Sequence, residues 1–302
     1  MREPSPRGRT PRYKAASPAP TPTRVRVATS SVAFLLTLGA LWAGTWALVP
    51  AYLFFSVVSV FEYAAMVRLR GIRVHRTGLL VMTVLLIPAA MPDGHVLALF
   101  ARFGLPGREA LLIGFLMGML GLALAEPQRD ALVTSVYTLL GYLWIPGFLS
   151  YTLTLRASPD PVAGLATLTL PALAVIASDV GAWAVGTTLG RHKLTPAWSP
   201  DKTVEGALGG LALAAVVVPV AARLLPDVGP ATMSVGLLIV FALLVAAAAQ
   251  LGDLFESLVK RWAGVKDTGV FLPGQGGVLD RIDSALFALP VAFLLLSLLS
   301  YV

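Results

Sequence analysis

Residues able to do chemistry gather near the end of this chain. The stretch KDTGVFLPGQGGVLDRIDS, residues 266–284, holds four glycines, one proline and three aspartates beside Lys266 and Arg281. Just upstream runs GDLFESLVKR, residues 252–261. On a helix, Asp253, Ser257 and Lys260 with Arg261 recur about once per turn and share a face. Asp280 and Asp283, three apart, share a face at the entry to the last apolar segment. Carboxylate oxygens gathered in this way suit magnesium, which takes one or two carboxylates together with substrate phosphates. Glycine-rich backbone lets amides approach those phosphates closely. The pattern points to a metal–polyphosphate site. The plainer alternative is a solvated loop whose charges only set topology, and the glycines and acids exceed what that requires.

A second polar block lies upstream, in SDVGAWAVGTTLGRHKLTPAWSPDKTVEGALGG, residues 178–210. Asp179 interrupts an apolar run. A carboxylate within a membrane segment costs a few kcal/mol to insert and usually faces a polar cavity, although one at a helix end can also reach the interface. In SPDKTVEG, Lys202 and Thr203 can donate to a phosphate at the start of the next helix, where free amides favour anions. An ordinary loop with a Lys202-to-Glu205 capping pattern fits equally. Gly181, Gly186 and Gly190 permit close helix packing, as glycines do in many membrane bundles.

These blocks sit in an apolar chain of 302 residues, 57% hydrophobic and 13% charged, with mean hydropathy +0.79. Soluble domains carry about 25% charged residues, so the composition indicates an integral membrane protein. The absence of cysteine excludes disulfides, thiolate metal sites and cysteine nucleophiles. Residues 1–28 carry seven Lys/Arg, one acid and six prolines. This is the composition of a disordered basic tail near anionic lipid rather than of a nucleic-acid binder. Apolar segments at 30–49, 51–67, 77–91, 109–125, 131–154, 162–189, 206–225, 231–252 and 284–302 predict an all-α polytopic bundle of about nine spans. The basic loop Arg68–Arg76 and the loops at 190–205 and 253–283 then fall on the cytoplasmic side with the N-terminus. Nine of the sixteen acids lie from Asp179 onward. The division expected is therefore a tail (1–28), a transmembrane scaffold (29–160) and a transmembrane catalytic region (161–302).

Both blocks resemble the phosphatidate cytidylyltransferase family, the CDP-diglyceride synthases. Its signature is matched by Ser257-Leu-Val-Lys260-Arg261, then Lys266-Asp267-Thr-Gly269, then Gln275-Gly276-Gly277-Val-Leu-Asp280-Arg281-Ile-Asp283. Gln275 stands where the family usually has histidine. Asp179 to Gly210 resembles the family's upstream block, with Trp183 for its usual Tyr or Phe and Asp201 where a basic residue is common. The resemblance implies that CTP and phosphatidic acid react to give CDP-diacylglycerol and pyrophosphate at the cytoplasmic face of a bacterial inner membrane. It implies Mg2+ on Asp253 and Asp280 with Asp283 supporting, and room for a second cation. Lys266 and Arg281 are then catalytic cations. Asp179, Ser199, Lys202, Thr203, Glu205, Ser257, Lys260, Arg261, Asp267, Gln275, Gly276 and Gly277 bind substrate. A homodimer is compatible with the resemblance. A CTP-dependent polyprenol or phytol kinase is the nearest rival, and a transporter with a broken helix at Asp179 is a more distant one.

Overall fold

The computed structural model describes residues 39–91, 107–125, 129–158, 160–225, 228–271 and 276–301. The described helices are α1 (Thr45–Arg68), α2 (Arg76–Ala90), α3 (Gly107–Ala125), α4 (Arg129–Tyr142), α5 (Tyr151–Arg156), α6 (Pro161–Leu189), α7 (Val204–Ala222), α8 (Val235–Ala263) and α9 (Leu279–Leu298). A π-turn, Leu143–Gly147, joins α4 toward α5 around Pro146. The protein is a polytopic helical membrane protein. Among the described residues, seven helical segments are long and apolar enough to cross a bilayer, with Asp130–Arg156 counting as one. The nine-span expectation differs at two places. The first nine residues of segment 30–49 lie outside the described residues, and α2 has 15 residues, short of the about 20 that a crossing needs.

Helix boundaries follow local chemistry. Asp160 caps α6 by accepting from the Val162 amide (2.9 Å), with Pro161 at the first turn. Thr203 caps α7 by accepting from Gly206 N (3.1 Å). Gly264, in the left-handed region at φ 83°, closes α8. Between α6 and α7 a short antiparallel hairpin, β1 (Lys193–Thr195) with β2 (Ser199–Thr203), pairs Lys193 with Thr203 and Thr195 with Ser199.

Glycine sets the closest helix contact. A Cβ on Gly181 would lie 2.6 Å from the Gly209 carbonyl oxygen, and one on Gly210 would lie 2.5 Å from that of Ser178. Helices α6 and α7 therefore meet backbone to backbone, which only hydrogen side chains allow. Toward the centre, Tyr63, Trp144, Phe255 and Phe287 form a run of ring contacts at centroid distances of 5.9, 4.9 and 5.4 Å. This run ties α1 and the π-turn to α8 and α9.

Candidate active site

The C-terminal part of α8 supplies Asp253, Glu256, Ser257 and Lys260, and the first turns of α9 supply Asp280 and Asp283. Gly252 brings the two helices together. A Cβ there would lie 2.5 Å from the Asp283 carbonyl oxygen and 3.2 Å from Phe287 Cβ. Overpacking a tight contact typically costs 1–3 kcal/mol. Gly252→Val is accordingly expected to lower unfolding stability by about that amount and to separate the acids on either side. Thermal unfolding in detergent, read beside divalent-ion binding, tests both effects.

One carboxylate oxygen from each of Asp253, Glu256 and Asp283 falls within 4.8 Å of the others. Glu256 and Asp283 are buried, and Glu256 Oε1 meets no hydrogen-bond donor among the described residues. Three acids this close repel one another unless a cation or a proton lies among them. A buried oxygen without a donor is an opening for a metal ligand. The donor set, all hard oxygen, fits a magnesium-like ion.

Two lysines flank the acids. Lys260 Nζ lies 2.6 Å from Glu256 Oε2 and 2.7 Å from Asp280 Oδ1. Lys202 Nζ, on β2, lies 2.6 Å from Asp253 Oδ2. Asp253 thus belongs both to the carboxylate group and to a cavity of about 350 Å3 that Asp179, Trp183, Thr187, Asp201, Lys202 and Gln250 help to line. Trp183 is exposed on the outer side of this cavity. Gln250 braces its inner wall by donating to Ser178 Oγ and to the Ala207 carbonyl, each at 3.0 Å.

Asp280 stands apart from the carboxylate group. Besides Lys260, its Oδ2 accepts from Thr268 N (2.9 Å), Thr268 Oγ1 (2.9 Å) and Gly277 N (2.8 Å). These bonds fold the loop after α8 onto the start of α9. Gly276, at φ 87°, sits where a Cβ would come within 2.9 Å of Asp280 Oδ2. The structure therefore groups Glu256, rather than Asp280, with Asp253 and Asp283, and it gives Asp280 a loop-organising position.

The other sequence-derived residues separate into lining and bracing positions. Asp179, Lys202 and Thr203 line the cavity, and Ser257 is buried on α8. Ser199 pairs with Thr195 in the hairpin. Glu205 turns back to accept from the amides of Arg191 (3.1 Å) and His192 (3.1 Å) and pairs with the His192 ring. It secures the hairpin rather than partnering Lys202. Arg261 donates to the carbonyls of Trp198 (3.1 Å) and Val265 (3.2 Å), binding that hairpin to the end of α8. Lys266, Asp267 and Arg281 are exposed around the loop, and Gly277 is buried. Gln275 lies outside the described residues.

Two residues of this region escaped the sequence reading. Glu256 sits three residues after Asp253, within the same helical motif. Glu62, on α1, is buried and accepts from Val278 N (2.9 Å) and Leu279 N (2.8 Å), with Thr268 Oγ1 at 3.2 Å. Its signal was a lone acid in the apolar segment 51–67.

Residues 24–299 match the family described as the cytidylyltransferase family. Curated relatives include proteins named phosphatidate cytidylyltransferase from Staphylococcus epidermidis, 43% identical over 44% of this chain and 50% of the relative. One of the same name from Staphylococcus aureus is 46% identical over 41% of this chain and 46% of the relative. The chain thus spans about half the length of the curated relatives it matches. The match to the family covers nearly all of the sequence, and on that ground this chain belongs to the cytidylyltransferase family.

Proposed function

We propose that the chain transfers the cytidylyl group of CTP to phosphatidate, releasing pyrophosphate and leaving CDP-diacylglycerol in the membrane. The observation that carries this reading is the group formed by Asp253, Glu256 and Asp283, flanked by Lys202 and Lys260, at the end of the bundle where α8 and α9 meet. The relatives' name agrees with it.

A phosphatidate phosphate oxygen, already ionised near neutral pH, attacks the α-phosphorus of CTP. The new P–O bond forms opposite the breaking α–β bridge, and the electron pair leaves with pyrophosphate. No proton must be removed from the attacking oxygen, so the site's tasks are positioning and charge neutralisation. Asp253, Glu256 and Asp283 would hold Mg2+, which when bound supplies Lewis-acid neutralisation of phosphate oxygens. Lys202 faces the cavity and carries a charge suited to a lipid phosphate there. Lys260, fixed between Glu256 and Asp280, keeps the carboxylates in place. The exposed Lys266 and Arg281 are suited to the triphosphate, and Gln275 serves as a hydrogen-bonding side chain.

Purified protein given phosphatidate, Mg2+ and CTP labelled at either the α- or the γ-phosphate tests the reading. Label entering lipid only from the α-position is expected. Label from the γ-position would make the protein a lipid kinase.

The site faces the cytoplasm of a bacterial inner membrane, a reading that rests on the basic loops. With no native cysteine, single cysteines are clean reporters. Lys266→Cys, at an exposed position, is expected to stay unlabelled by an impermeant maleimide in intact cells. Asp160→Cys, between α5 and α6, is expected to label. Labelling of Lys266→Cys from outside would reverse the orientation.

A further inference from the structure

Helix α9 begins without a cap of its own. Val278, the residue before its first turn, offers no side-chain hydrogen bond to the free amides. Those amides are a concentration of positive partial charge that requires acceptors. Glu62 supplies them from α1, taking Val278 N on Oε1 and Leu279 N on Oε2. The same carboxylate reaches Thr268, on the far side of the glycine-rich loop. The Thr268 hydroxyl lies 3.2 Å from Glu62 Oε2 and 2.9 Å from Asp280 Oδ2, so one proton is shared between two acids.

Space around Glu62 is as specific as its bonding. A Cβ on Gly269 would lie 2.5 Å from Glu62 Oε1, and one on Gly277 would lie 2.7 Å from Oε2. Glycines at both edges of the loop thus admit this one side chain. Further along α1, Phe54 packs edge-on against Phe271 of the loop at 5.7 Å. Helix α1 is therefore the surface on which the loop rests.

From Glu62 the contacts run on without a break. Thr268 bonds Asp280, Asp280 pairs with Lys260, and Lys260 pairs with Glu256 of the carboxylate group. We propose that Glu62 is a positioning residue for the reaction site. By fixing both edges of the loop to α1 it sets the start of α9, and through Thr268, Asp280 and Lys260 it sets the geometry of Asp253, Glu256 and Asp283. The proposal rests on the reading of that carboxylate group as the reaction's metal site, but its test needs no nucleotidyl transfer.

Glu62→Gln keeps the side chain's size and presents an amide to donors that need an acceptor. A nitroxide on Val270→Cys, a position 82% exposed, reports loop motion, and Mn2+ titration followed by its own paramagnetic resonance reports the carboxylate group. Relative to the labelled parent, Glu62→Gln is expected to sharpen the nitroxide spectrum and to weaken Mn2+ binding about tenfold. Thr268→Val, which removes only the shared hydroxyl, is expected to shift both readouts in the same direction by less. Combining the two changes is expected to give less than the sum of their effects. An unchanged nitroxide spectrum with unchanged Mn2+ affinity in Glu62→Gln overturns the proposal, even if thermal unfolding has moved. Should that variant not fold, the same null result in Thr268→Val overturns it. Loss of Mn2+ binding in the parent itself would instead remove the metal reading and leave the loop measurement standing.

Discussion

Asp283→Asn is expected to lower turnover about a hundredfold or more, which corresponds to about 2.7 kcal/mol of lost transition-state stabilisation. The exchange keeps shape and removes charge from a buried acid within 4.8 Å of Asp253 and Glu256, and an amide is a weak ligand for a hard cation. Asp253→Asn should behave alike, and the double variant should fall well short of the product of the two losses, because one site is being removed twice. The diagnostic is the magnesium concentration giving half-maximal rate. Both variants should raise it. Asp280→Asn should raise it less and should lower the rate even at saturating magnesium, since Asp280 accepts from Thr268 and Gly277 and pairs with Lys260. A large magnesium shift for Asp280→Asn with none for Asp283→Asn would exchange their roles.

The second large effect is on stability. Lys260→Met leaves Glu256 and Asp280 facing each other without their shared cation, with side chains only 1% and 10% exposed. Removing one partner from a buried ion pair costs about 3–5 kcal/mol, enough to unfold a marginally stable protein. Lys202→Met removes a pair whose partners are 26% and 35% exposed, and exposed pairs contribute about 0–1 kcal/mol. Its folding should therefore be nearly normal while its KM for phosphatidate rises. Thermal unfolding of the two variants in one detergent decides the matter. Equal losses would mean that burial does not separate the lysines.

Much of this architecture is readable along the chain because membrane helices announce themselves by apolar length. The motif residues are readable because carboxylates and lysines are scarce in such a chain. The assignment of partners is harder. Asp253, Ser257 and Lys260 were grouped by helical face, but the same periodicity also places Glu256 three residues from Asp253 on the side that α9 approaches. Which side α9 approaches depends on Gly252, a packing fact that periodicity does not contain. Likewise, Asp280 and Asp283 look equivalent at i and i+3. They differ because the loop folds its own amides onto the first of them. Glu205 resembles a capping partner for Lys202, yet Thr203 takes the cap and leaves Glu205 to reach the backbone of β1's approach. Glu62 was the least accessible, since its bonding partners lie 206 to 217 residues away.

That separation has a consequence for how the protein is made. Glu62 enters the membrane with an early helix, and the Val278 amide it serves is 216 residues further on. At about 5–20 residues per second of synthesis, the carboxylate waits roughly ten to forty seconds for its acceptor role to begin. Throughout that interval α1 carries an acid without these amide partners, six residues before the helix ends at Arg68. The contacts of this early carboxylate are thus completed only when the much later helix α9 has followed it.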